Sequence, residues 1–167
     1  MTKQIVVGVM GPGEKASTED MRLAYEVGRS IAGMGYAVLT GGRNCGVMDA
    51  ALKGAKKEQG LTIGILPGED SKGMSDAVDI PVFTGMGNAR NAINVLTSKI
   101  IVSIGEGPGT FSEISLALKT GKPVIALNLH SEAVKIFKHF GDRKLLAMDY
   151  FDEKVFKEFL SKAVNEI

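Results

Sequence analysis

The sequence predicts an α/β fold, a three-layer sandwich with a mostly parallel sheet between two layers of helix. Three observations lead there. Short β-branched runs alternate with longer amphipathic segments along the chain, the pattern of repeated βα units. The run Ile100 to Ile104 is almost purely β-branched, as a central strand covered on both faces would be. Glycine is abundant, with 21 residues, and its clusters follow predicted strands.

Ile5 to Met10 reads as a buried strand. A helix then starts near Ser17, where Asp20 completes a Ser-x-x-Asp cap, and runs to about Met34. Tyr36 to Thr40 is a strand, Val47 to Gln59 a helix and Leu61 to Leu66 a strand. Asp79 to Phe83 continues as a strand and Asn88 to Thr97 as a helix. After Ile100 to Ile104 come a helix from Thr110 to Lys119, a strand from Pro123 to Leu127, and helices near Glu132 to Lys138 and from Asp152 to Val164. No internal repeat, low-complexity tract or linker interrupts this order, so residues 1–167 are expected to form a single domain.

Composition narrows the function classes. The chain is 44% hydrophobic and 23% charged with a net charge of +1, and no run of Lys or Arg stands out. Nucleic-acid binding driven by bulk charge is not expected. The N-terminus shows no signal-peptide pattern and no apolar stretch is long enough to span a bilayer, so no membrane partner is expected. One cysteine, Cys45, suits a reducing compartment, and the expected location is cytoplasmic. With only His130, His139 and Cys45 besides the carboxylates, no metal site is expected. Cys45 lacks a partner base and reads as an inert thiol.

The glycine clusters carry the functional signal. Gly11 and Gly13 follow the first strand, and Gly41, Gly42 and Gly46 the second. Gly85 and Gly87 follow Asp79 to Phe83, and Gly105, Gly107 and Gly109 follow Ile100 to Ile104. Open α/β sheets bind ligands at the carboxyl ends of their strands, where helix N-termini favour anions. A phosphorylated or otherwise anionic small molecule is the expected ligand. No G-x-x-x-x-G-K-[ST] occurs, and the second strand ends in Thr-Gly-Gly where a dinucleotide enzyme holds an acidic residue.

Four segments then resemble a known family. "TGGRNCGVMDAA" (Thr40 to Ala51), "GILP" (Gly64 to Pro67), "GMGNARN" (Gly85 to Asn91) and "GPGTFSE" (Gly107 to Glu113) stand in the order and spacing of the Lonely-Guy family. These nucleoside-monophosphate phosphoribohydrolases were long misnamed lysine decarboxylases. The resemblance implies a Rossmann-like fold, a dimeric core and a nucleotide site whose catalytic Arg and Glu fall on Arg90 and Glu113. A lysine decarboxylase is itself disfavoured, since no pyridoxal-binding constellation is visible.

Two departures point to a sister branch that contains the molybdenum-cofactor carrier proteins. The family's Pro-Gly-Gly opening is Gly105-Glu106-Gly107, and its Arg-Lys pair is Arg90-Asn91. Two functions follow: the leading expectation is a phosphoribohydrolase that cleaves the N-glycosidic bond of a nucleoside 5′-monophosphate, and the alternative is a carrier that holds a nucleotide or a pterin phosphate without turnover. No cofactor is required for the first, and a nucleotide or molybdopterin-type molecule is the expected occupant.

The ligand-facing set is Gly11, Gly13, Gly41, Gly42, Asn44, Gly46, Met86, Asn91, Gly107, Gly109 and Thr110. Backbone N–H groups from Gly107 to Thr110 would clamp phosphate. Met10, Met48 and Met86 also suit flexible filler beside their glycine turns. Thr110 and Glu113 equally fit a capping box, and Arg90 a surface arginine at a helix start. Ala89, Ala92, Ile93, Val95 and Leu96 make one helix apolar beyond a single stripe, which with the family's dimeric core predicts a homodimer or larger even oligomer.

Overall fold

In the computed structural model, which describes residues 4–141 and 144–165, seven strands form one sheet. In chain order they are β1 (Val6–Met10), β2 (Ala37–Thr40), β3 (Thr62–Leu66), β4 (Ile80–Phe83), β5 (Ile100–Ile104), β6 (Val124–Leu127) and β7 (Leu145–Met148). Spatial order is β4-β3-β2-β1-β5-β6-β7 with every pairing parallel. The helices are α1 (Thr18–Gly33), α2 (Gly46–Lys57), α3 (Asn91–Thr97), α4 (Pro108–Lys119), α5 (Ser131–Gly141) and α6 (Glu153–Asn165). The predicted α/β, Rossmann-like architecture is what is seen.

Alternation along the strands sorts the core into two layers. Ile100, Val102 and Ile104 of β5 join Val7 and Val9 under α1, α2 and α6, with Leu23, Val27, Ile31, Leu52, Phe156 and Leu160. Ile101 faces the other way, packing with Met10, Leu39, Val95, Ile114, Ala117 and Phe137 beneath α3, α4 and α5. All five β5 residues are buried, as a central strand demands. The capping box at Ser17 and Asp20 also forms, with reciprocal bonds of 3.0 and 2.9 Å.

Three local expectations are corrected. Leu145–Met148 is a strand in a stretch where the sequence pattern marks no element, because four apolar residues between polar neighbours carry little periodic signal. The predicted helix over Asn88 to Thr97 is a 3-10 turn, Gly87–Arg90, followed by α3. The fourth helix begins at Pro108 rather than Thr110, with Gly107 as its N-cap and no side-chain cap bond. Proline suits that first position, since its missing N–H would have found no partner there.

Candidate functional site

From β1 the chain steps outward through β2 and β3 to β4; it then returns, and β5 pairs with the other side of β1. The strand order reverses between β1 and β5, and the crevice above such a point is where doubly wound sheets bind ligands. A cavity of about 310 Å³ lies there. Its wall is built by Gly11 and Gly13 after β1, Gly41 after β2, Arg90 and Asn91, and Gly107, Gly109, Thr110 and Glu113 at the start of α4.

The glycines divide by what a side chain would meet. A Cβ at Gly107 would find nothing nearer than Thr110 Oγ1 at 3.8 Å, and at Gly109 nothing nearer than Asn91 Nδ2 at 4.0 Å. Packing does not require glycine at these two positions; keeping them bare leaves the start of α4 open. At Gly41 a Cβ would stand 2.8 Å from both Arg90 Nη2 and Met48 Sδ, so its bareness makes room for the guanidinium. Gly42 and Gly46 have a different task. Both have positive φ, and a Cβ would press on Gly64 in one case and on the carbonyls of Pro12 and Gly13 in the other.

Gly42 and Gly46 therefore fix the β2–α2 turn and lie outside the cavity wall, as do Asn44 and Met86. The Asn44 N–H donates to the Gly73 carbonyl at 2.9 Å, and Met86 is half exposed.

Arg90 is not a surface arginine. It is buried, with Nε donating to the Ile65 carbonyl at 2.8 Å and Nη1 to the Gly87 carbonyl at 3.0 Å. Burial pushes its ionisation below the ordinary value and the Glu113 charge pulls it back.

Glu113 is buried as well, and its expected bond to Thr110 is replaced by another. Asn94 Nδ2 donates to Glu113 Oε1 at 2.8 Å. Thr110, Glu113, Ile114 and Ala117 are the buried residues of α4, and Phe111 and Leu118 pack half-buried against the same layer. Burial raises the Glu113 carboxyl to about 7, against the opposing pull of the Asn94 hydrogen bond and the Arg90 charge.

The variant residues of the sequence also find places. Glu106 accepts from the His130 backbone N–H at 2.6 Å and lies 2.9 Å from His130 Nδ1, so its carboxylate is tied to the β6–α5 loop. Asn91 Nδ2 donates to Ser112 Oγ at 2.8 Å, tying α3 to α4. Burial raises the Cys45 thiol, consistent with an inert group. Asn94 belongs to none of the four sequence motifs. It stands four residues after Arg90, on the same helical face, and a polar residue at that spacing in an apolar segment was the available signal.

The comparisons fit this geometry. The SLOG cluster4 family is matched over residues 4–155. The chain belongs to that family. A protein of Archaeoglobus fulgidus is 43% identical over 138 residues, covering 81% of this chain and 89% of its own length. The structure of the molybdenum cofactor binding protein from the phototrophic bacterium Rippkaea orientalis is 44% identical with a TM-score of 0.93, over 98% of this chain and 99% of that one. The molybdenum cofactor carrier protein of Chlamydomonas reinhardtii is 41% identical with a TM-score of 0.90, again over 98% and 99%. The resemblance read from the four motifs is borne out, and it is the carrier branch that these structures represent. Among the described residues no helix is long and apolar enough to cross a membrane.

Proposed function

We propose that this chain is a binding and carrier protein for a phosphorylated pterin, the molybdenum cofactor, held in the cavity between β1 and β5. One observation carries the proposal. The cavity brings bare glycines at the first turn of α4 together with two buried polar side chains, Asn94 and Thr110, whose Oδ1 and Oγ1 have no partner among the described residues. Free N–H groups at a helix start suit a phosphate, and buried unpaired oxygens call for a polar ligand. The likeness to the two cofactor-binding structures supports the same reading. The residues fit the molecule as cargo: α4 would take its phosphate, and Arg90 Nη2 would reach into the same space.

The phosphoribohydrolase remains the second reading, favoured by Arg90 and Glu113 sharing one cavity wall. Incubation with isolated molybdenum cofactor and with a panel of nucleoside monophosphates separates the two. A carrier retains the cofactor through gel filtration and releases no free base from any nucleotide. At a hundredfold excess over Kd the ligand should add about 2.7 kcal/mol of stability, a melting shift of roughly 5–10 °C for a chain of this size. Free base released at catalytic rates, with no cofactor retained, overturns the carrier reading.

A further inference from the structure

Three buried side-chain oxygens are without a partner among the described residues: Asn94 Oδ1, Ser103 Oγ and Thr110 Oγ1. Ser103 pairs in register with Met10 and alternates with Val102 and Ile104, so it faces the α3–α4 layer. Asn94 is 1% exposed and Thr110 is 2% exposed, and both line the cavity. A polar atom so placed costs free energy unless something pairs with it.

What is missing at Asn94 is a donor. Its Nδ2 is already committed to Glu113 Oε1, which leaves Asn94 Oδ1 and Glu113 Oε2 as acceptors. Arg90 does not supply that donor: its Nε and Nη1 are held by backbone carbonyls, and Asn94 Oδ1 has no partner among the described residues. The first turn of α4 has the opposite character, since Gly107 brings no capping side chain and the N–H groups there are donors in want of an acceptor. Glu113 lies five residues after Pro108, about 7.5 Å along the helix axis. One end of the cavity thus offers donors and the other acceptors.

A matching ligand is an anion at one end with adjacent N–H donors at the other. We propose that Glu113 and Asn94 form an acceptor edge that reads the 2-amino group and ring N3–H of a pterin whose phosphate lies at the start of α4, an assignment that rests on the carrier reading above. The 2-amino-4-oxo edge presents two neighbouring donors to these oxygens. A lumazine, with oxygen in place of the 2-amino group, sets an acceptor against an acceptor.

A single proton reverses the edge. When Glu113 is protonated its O–H donates to Asn94 Oδ1, with the amide turned over, and Nδ2 becomes a free donor. Burial places that change near pH 7. Arg90 is the charged group acting on Glu113; Lys15, Glu14 and Glu106 line the same cavity, the last two paired with Arg43 and His130.

The test is calorimetric titration of the whole protein with 6-hydroxymethylpterin phosphate and with the matching lumazine phosphate. At pH 8 the pterin should bind roughly 10- to 100-fold more tightly, the range for hydrogen bonds to a charged group. The preference should shrink by about tenfold per pH unit below 7 as the ionised form is lost. Phosphate titration, with a pKa near 6, is common to both ligands and cancels in the ratio. Glu113→Gln should abolish or invert the preference, and the pH series on the unmodified protein stands if that variant does not fold. Equal affinities at pH 8, or a preference that neither pH nor Glu113→Gln alters, would overturn the acceptor edge and leave the carrier reading in place. Failure of the pterin phosphate to bind to protein that still retains the molybdenum cofactor through gel filtration would overturn the acceptor edge alone.

Discussion

Glu113 sits where a carboxylate is costly. Its pKa is raised from 4.5 to about 7, so between those values the folded chain holds a proton that the unfolded chain has lost. The native state binds more protons across that window, and stability therefore falls as pH rises from 4.5 to 7. Above pH 7 the full cost, roughly 3 kcal/mol, is present. Glu113→Gln keeps the shape and the Asn94 contact without the charge. It should be more stable than the unmodified protein by up to about 3 kcal/mol at pH 8, and no different near pH 4.5. Urea unfolding at both pH values checks this; a variant less stable at pH 8 would mean that Glu113 is a structural group. A residue that lowers stability and is nonetheless present fits a functional role. Arg90 and Glu113 were legible from the four motifs, but their surroundings were not. Pro108 moves the helix start ahead of Thr110 and removes the capping box, and the partner of Glu113 lies 19 residues away on another helix.

At the scale of elements, the glycine clusters are one signal in the sequence and two in the structure. Those at Gly107 and Gly109 leave open space, whereas those at Gly42 and Gly46 let backbone pass backbone. Two further glycines, inside helices, gave no signal at all. A Cβ at Gly28 of α1 would collide with the Ala51 carbonyl, and one at Gly54 of α2 with the Tyr25 carbonyl, so the two helices touch backbone to backbone. Helix propensity alone would favour Gly54→Ala by about 1 kcal/mol. The collision is with a carbonyl that cannot rotate away, and overpacking of that kind costs about 1–3 kcal/mol beyond the gain it cancels. Gly54→Ala should therefore lower the melting temperature. Gly33→Ala is the control: its Cβ meets nothing within 4 Å, and it should be neutral or stabilising by up to about 1 kcal/mol. A stable Gly54→Ala variant would show that α1 and α2 can move apart. Short strands were legible where β-branched residues marked them, and β7 was not because nothing local distinguishes it.

At the scale of the whole molecule, the alternation of strands and helices gave the layers and placed the ligand edge, since every parallel strand ends on the same side. What that alternation could not give is which surfaces stay bare. Arg90, Asn94 and Val95 point inward, and Ala89, Ala92, Ile93 and Leu96 form a second row at helical spacing. Leu96 at the end of that row is 62% exposed. Two other surfaces are bare: the outer strand β4, with Ile80, Val82 and Phe83 exposed, and α5, with Ile136 and Phe140 exposed. Pro81 interrupts the hydrogen-bonding edge of β4, which disfavours strand-to-strand association. Association through helix faces is then the better expectation, and α3 supplies an apolar row for it. A stable dimer buries about 1,200–2,000 Å² in all, so neighbouring surface must take part, but a charge at the most exposed residue of the row should be enough to break it. The unmodified protein should sediment at twice the mass of one chain or a larger even multiple at micromolar concentration. Leu96→Glu should give single chains with an unchanged circular dichroism spectrum. A single-chain mass for the unmodified protein would rule out the oligomer, and an intact oligomer in Leu96→Glu would move the interface away from α3.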